Sequence, residues 1–172
     1  MKIHPFASAL TLALLSLACS SDATPPAPSG PLSAFVEPMA PPGARSVLAA
    51  RKDAAAGDTI ALVGRAKDFV GGRAAFTLID SSLRACSDEG DPMEGSCETP
   101  WDYCCIDPEE VSAACATIEL RDAQGVIKSS VQGLAGLDHL DTVFASGVVE
   151  KDAAGNFTLV AKALHVRKAA AK

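Results

Sequence analysis

The sequence predicts an all-β domain built as one small barrel, and three observations carry that expectation. Five short stretches read as strands bounded by turn-forming residues, and the clearest of them alternate apolar and polar residues with a period of two. A glycine, Gly64, interrupts the first of them where a long strand would have to bend. The last stretch, Phe157 to Val166, is apolar on both faces, as expected of a strand buried or closed into a barrel. A β-sandwich shares the same periodicity and is the alternative.

The chain opens with Lys2 and then an apolar run from Phe6 to Ala18, the pattern of an export signal spanning residues 1–18. That run is shorter than the roughly 20 residues a bilayer-spanning helix needs. Ser16-Leu17-Ala18-Cys19 resembles the lipobox at which lipoprotein signal peptidases cut, which implies a lipid on the Cys19 sulfur. Leucine stands two and four residues before Cys19 rather than three. Residues 19–44 are rich in Pro, Ser and Ala and read as a lipidated N-terminus and an extended linker, with docking of Leu32 to Met39 as the lesser alternative. The expected location is the cell envelope, at the periplasmic face or the outer membrane. Ser20, rather than aspartate, after the lipidated cysteine suits onward sorting.

The folded domain is expected over residues 45–168, with 169–172 as a tail. Ser46 to Ala56 reads as a short helix with a Ser46 cap and a stop at Gly57. Strands follow at Thr59 to Arg65 and Arg73 to Asp80, joined by a turn at Phe69-Val-Gly-Gly72. Ala116 to Asp122 is the cleanest strand, with Ala116, Ile118 and Leu120 inward and Thr117, Glu119 and Arg121 outward. Asp122-Ala-Gln-Gly125 turns the chain into Val126 to Gln132, and Gly133 to Leu140 reads as a short helix. Strands at Thr142 to Glu150 and Phe157 to Val166 flank a hairpin loop at Lys151 to Asn156.

Leu62 to Asp80 resembles the first hairpin of many OB folds, in which a glycine lets the long first strand serve both halves of a five-stranded barrel. Gly64 is that bend, and Phe76 and Leu78 are expected to fill the interior. Closure removes the two open edges of such a sheet. The expected fold is thus an all-β, five-stranded OB-fold-like barrel with a cysteine-rich acidic insertion, residues 81–115, between strands 2 and 3.

The charge is uneven. The whole chain has 15 Lys+Arg against 21 Asp+Glu, a net charge of −6, and Asp80 to Glu110 holds ten of the acids against Arg84 alone. An acidic insert on a near-neutral body argues against strong phosphate-backbone binding and reads most simply as a solvated loop.

The stretch Ser46 to Val166 resembles a family of small exported OB-fold lipoproteins of planctomycete type, a family with no established activity. The resemblance rests on Asp80-Ser-Ser-Leu83, on Cys86 and Cys97, and above all on Thr99-Pro-Trp-Asp-Tyr-Cys-Cys105. It implies an exported OB barrel with four cysteines at these positions, to which Cys115 is an addition, and no substrate.

Five cysteines fall within Cys86 to Cys115. In an oxidising compartment such a cluster reads as disulfides stapling a loop with little core of its own. The preferred pairing joins Cys86 and Cys97 to Cys104 and Cys105, since neighbouring side chains diverge in extended backbone, and it leaves Cys115 as a spare thiol. Each closure would contribute about 3 kcal/mol under the chain-entropy model. A zinc or iron site on Cys86, Cys97, Cys104 and Cys105 is the sharper alternative, but the spacing lacks a Cys-x2-Cys knuckle and adjacent cysteines rarely share one ion. Calcium on Asp88, Glu89, Asp91 and Glu94 would require a regular ligand spacing that is not present. No cofactor is otherwise expected.

Trp101 and Tyr103 are candidates to stack on a sugar or base, with packing against the cysteines as the plainer reading. Arg65, Lys67 and Arg73 flank the first hairpin loop, where OB folds often contact oligonucleotides, so nucleic acid is a minority partner. An envelope protein or a glycan is preferred, and the membrane is met only through the lipid anchor. Catalysis finds little support. His165 reads as a packed or rim residue and His139, in Asp138-His-Leu-Asp141, as a solvated helix end, while nucleophile-elbow, phosphate-loop and zinc-protease motifs are missing. The expected function is a non-catalytic binding or structural module; nucleic-acid binding and metal binding through the insertion are the alternatives.

Overall fold

Period-two alternation becomes a closed barrel because one strand is long enough to pair on both sides. The computed structural model describes residues 30–169. The expected export signal and Cys19 therefore lie outside the described residues, as do residues 170–172. Seven strands are described: β1 (Arg45–Ser46), β2 (Thr59–Phe69), β3 (Ala75–Ile79), β4 (Cys115–Asp122), β5 (Gly125–Val126), β6 (Thr142–Lys151) and β7 (Phe157–Arg167). Five of them close in the order β2-β3-β4-β7-β6 and back to β2, with β4 and β7 parallel and the other neighbours antiparallel. This is the OB-fold-like barrel the sequence predicts. The short β1 and β5 add to the edges of β2 and β4.

β2 is longer than the sequence expectation because it changes partner midway. Thr59 to Arg65 pairs with Val148 to Thr142 of β6, and Arg65 to Phe69 pairs with Ile79 to Phe76 of β3. Gly64 sits at the changeover, and a Cβ there would collide with the Ile79 carbonyl oxygen and lie 2.9 Å from Leu78 Cγ. Gly147 does the same at the β6–β7 bulge, where a Cβ would strike the Val160 carbonyl.

The interior follows the inward phase of each strand: Leu62 and Ala66, Phe76 and Leu78, Ile118 and Leu120, Val143 and Ala145 are buried, and in β7 Leu159 is buried before the bulge and Leu164, on the opposite phase, after it. α1 (Val47–Asp53) adds Val47 and Ala50 to this core. Its Ser46 cap accepts from the Ala49 N–H at 3.3 Å, as the sequence predicts.

Three local expectations are corrected. Gly133 to Leu140 forms only a single 3-10 turn at Leu134–Gly136, because Gly133, Ala135 and Gly136 take positive φ and cannot propagate a helix. Only Gly125–Val126 of the stretch after the β4 turn pairs as a strand. Part of the expected linker is folded, which favours the lesser alternative of docking: Leu32 is buried, Ser33–Phe35 forms a 3-10 turn, and the Glu37 N–H donates to the Leu164 carbonyl at 2.7 Å, while Met39 stays exposed. Leu32, Phe35 and Val36 cover apolar barrel surface that the polar composition of the flanking sequence conceals.

If Gly64 is the steric condition of closure, Gly64→Ala will lower the unfolding free energy by about 1–3 kcal/mol, the usual cost of overpacking. Gly71→Ala, with open space around its Cβ and no positive φ, serves as the control, and equal urea midpoints for the two variants would contradict the assignment.

Candidate functional site

The insertion between β3 and β4 is where the chemically distinctive residues gather, and two buried contacts hold it. At its base the Asp80 N–H donates to the Ala114 carbonyl at 2.9 Å, bringing the two ends together. The Asp80 carboxylate, 3% exposed, accepts from the Leu48 N–H at 2.8 Å, the Ser82 N–H at 3.0 Å and the Ser82 hydroxyl at 2.8 Å. It thereby satisfies a free N–H of the first turn of α1 while ordering the start of the insertion. Burial pushes the Asp80 carboxyl up, but the hydrogen bonds from Leu48 and Ser82 outweigh it and hold the group below its ordinary value.

Further along, Arg65 reaches from β2 into the insertion. Its guanidinium pairs with Asp88 at 2.7 Å, donates to the Leu83 carbonyl at 2.5 Å and lies over the Tyr103 ring at 5.6 Å. Tyr103 is buried with Ile79, Leu83, Ala85 and Ala114 in a small second core. Burial pushes its phenol up to about 12, with Arg65 pulling the other way. Tyr103 thus takes the packing role rather than the ligand role.

The acids expected as a solvated run are mostly turn-formers. Asp88 accepts from the Ala85 N–H, Asp91 from Met93, Glu94 from Gly90, and Asp107 from Glu109 and Glu110. Asp107 caps α2 (Pro108–Ala113), a helix the sequence reading missed although Asp-Pro-Glu-Glu is a helix-start signal. Asp88, Asp91 and Glu94 therefore face separate donors, and among the described residues no three of the four carboxylates considered for calcium come together.

Backbone pairing then folds the Thr99-Pro-Trp-Asp-Tyr-Cys-Cys105 motif onto the segment before it. The Cys86 N–H donates to the Asp102 carbonyl and the Ser87 N–H to the Pro100 carbonyl, both at 2.8 Å. Cys86 Sγ consequently lies 3.1 Å from Cys104 Sγ. The five cysteines are free thiols in this structure, so the expected disulfides are not formed in it. Cys86, Cys104 and Cys105 present sulfurs all within 4.8 Å of one another. Burial pushes the Cys86 thiol up to about 11, and the Thr99 hydroxyl holds the Cys97 thiol below its ordinary value. Cys115 lies apart on β4, near Lys67 and Arg51.

The same pairing brings Trp101 to the surface against the loop that precedes β6. Its ring stacks on His139 with centroids 4.7 Å apart and planes at 28°, and His139 meets Phe69 of β2 edge-on at 5.0 Å. His139 is no solvated helix end: it is the wedge between insertion and barrel, with Nδ1 3.1 Å from the Asp138 carboxylate. Gln132 donates to the same carboxylate at 3.0 Å. Ser87, Pro100, Trp101, Gln132, Asp138, His139 and Leu140 line an open cleft of about 440 Å³. Trp101, 36% exposed, forms its aromatic wall.

Among the expected hairpin cations, Arg65 is engaged as above. Lys67 pairs with Asp68 at 2.6 Å and approaches Asp102 at 3.7 Å. Arg73 is exposed at the loop tip. His165 is a rim residue, as expected, with Nδ1 3.1 Å from the Glu37 carbonyl. No helix among the described residues is long and apolar enough to cross a membrane. Neither a protein-family model nor a curated protein matches this chain.

Asp80 supplies a pH-dependent part of the stability. Its carboxyl titrates below the ordinary value of about 3.9, so its stabilisation is complete above that pH and is lost as the pH falls through the folded-state value. Asp80→Ala leaves the Leu48 N–H without its partner and is expected to cost about 1–3 kcal/mol at pH 7. The deficit relative to wild type will shrink as urea unfolding is repeated toward pH 3, and a deficit independent of pH would contradict the assigned charge.

Proposed function

We propose that this protein is an exported, lipid-anchored module of the cell envelope that binds a glycan, without catalysis, in the cleft walled by Trp101. The observation that carries the reading is the Trp101–His139 stack, a partly exposed aromatic plate packed against a second ring in the wall of the cleft. A pyranose ring lays its C–H face on such a plate and directs its hydroxyls to neighbouring polar groups. Gln132 and Asp138 stand on the rim in that role. Asp138 is the one carboxylate in the cleft lining, whereas glycoside hydrolysis takes a pair of acids flanking the bond. Binding is therefore favoured over cleavage.

The export signal, Cys19 and the resemblance to small exported OB-fold lipoproteins support the location. The nucleic-acid alternative is weakened because Arg65 and Lys67 are engaged by carboxylates of the same chain, which leaves little free positive charge for a phosphate backbone.

Trp101 is the single tryptophan, so its fluorescence reports the cleft directly. Titration with soluble peptidoglycan fragments and with neutral oligosaccharides is expected to shift the emission saturably. Trp101→Ala and His139→Ala should weaken binding at least tenfold by calorimetry, and Arg73→Ala should leave it unchanged. A flat titration across both glycan sets, with capture of an envelope protein instead, would contradict the glycan reading. Separately, Cys19→Ser should move the protein from the membrane to the soluble fraction; unchanged membrane retention would contradict lipid anchoring.

A further inference from the structure

Beyond the Trp101 cleft, we propose that Cys86, Cys104 and Cys105 form a three-thiolate zinc site that fastens the insertion, its fourth position taken by water. Three sulfurs within 4.8 Å of one another, with Cys86 and Cys104 at 3.1 Å, lie within reach of one ion: a tetrahedral zinc with Zn–S bonds of about 2.3 Å separates its sulfurs by about 3.8 Å, so this pair would open slightly around it. Cys97 lies outside this group, its thiol donating to the Thr99 carbonyl at 3.3 Å.

The sequence argues against this site because it lacks a Cys-x2-Cys knuckle and because adjacent cysteines rarely share one ion, their side chains diverging in a strand. That divergence holds for extended backbone, and the local backbone is not extended. The Ile106 N–H donates to the Tyr103 carbonyl at 3.1 Å, so Cys104 and Cys105 are the two central residues of a turn. Both side chains leave the turn toward Cys86, which the Asp102 carbonyl holds in place from the other side. A disulfide between Cys86 and Cys104 would use two members of this three-way group and leave Cys105 beside it unused; one thiophilic ion uses all of them.

The surroundings suit a cation. Asp91, 9% exposed, lines the same surface hollow as Cys105, and the insertion has Arg84 as its single base between Asp80 and Glu110. Thiolate donors select a soft or borderline ion over calcium or magnesium. As each S–Zn bond forms, the thiol proton passes to the buffer, so the protein charge falls while the ion neutralises it.

The test uses the whole exported chain, purified anaerobically, reduced and stripped of metal by a chelator. Cobalt(II) is added as the spectroscopic probe and zinc as its competitor. One equivalent of cobalt should give the intense thiolate charge-transfer and tetrahedral ligand-field bands, which one equivalent of zinc abolishes, and native mass spectrometry should show one zinc per chain. Zinc should protect the cluster thiols from alkylation and leave Cys115 reactive on unfolding. Cys104→Ser and Cys105→Ser should each weaken zinc binding more than about 100-fold, and Cys115→Ser should not. Reduced protein that gives no cobalt–thiolate band overturns the proposal, as does a Cys115→Ser variant that loses zinc like the cluster variants. Protein isolated from the export compartment lacking four hydrogens and metal overturns it in favour of two disulfides. None of these readouts depends on glycan binding or on lipid at Cys19.

Discussion

The fold depends on one strand serving two partners. β2 pairs first with β6 and then with β3, and a five-stranded sheet closes only if that strand turns a corner without breaking its ladder. Gly64 removes the side chain that would otherwise strike the Ile79 carbonyl at the corner. Everything downstream inherits this geometry. β3 leaves the corner toward the insertion, and Arg65, the next residue, projects from the outer face of β2, where it can meet the returning chain.

The insertion has too small a core to stand alone, and the structure compensates by borrowing from the barrel. Asp80 joins its base to α1, Arg65 joins its middle to β2, and His139 wedges its outer rim against Phe69. Between these attachments the acidic side chains close one turn after another by accepting backbone N–H bonds. A run of charge that reads as solvation is in fact the means by which a polar segment satisfies its own backbone. Such anchoring is what the proposed glycan plate would need, because a ligand meeting Trp101 would then order little protein.

The fold was legible because its determinants are local. Alternation placed Ile118 and Leu120 inward, and Gly64 announced its own bend. The α1 cap at Ser46 was equally local. The site was legible only in part. Trp101 and the cysteines were conspicuous by type, yet their partners lie far along the chain: Trp101 meets His139, and Cys86 meets Cys104. Spacing carries no information about such meetings. The reading of Cys104 and Cys105 failed on backbone state, since a turn aims both side chains to one side where a strand would not. His139 looked solvated because its neighbours Asp138 and Asp141 are polar; its aromatic partners come from β2 and the insertion. Docking of Leu32 and Val36 ranked below a linker because prolines surround them.

The central claim is that the insertion is an integral part of the barrel rather than a loop attached to it. Native-state hydrogen exchange tests this most directly, read at the Cys86 and Ser87 amides, whose bonds to Asp102 and Pro100 build the site, against the Ile118 and Leu159 amides of the barrel. The account predicts that the insertion amides are strongly protected and that Arg65→Ala lowers their protection far more than that of the barrel amides. Exchange at Cys86 and Ser87 at the rate of an open loop, with the barrel fully protected, would contradict it.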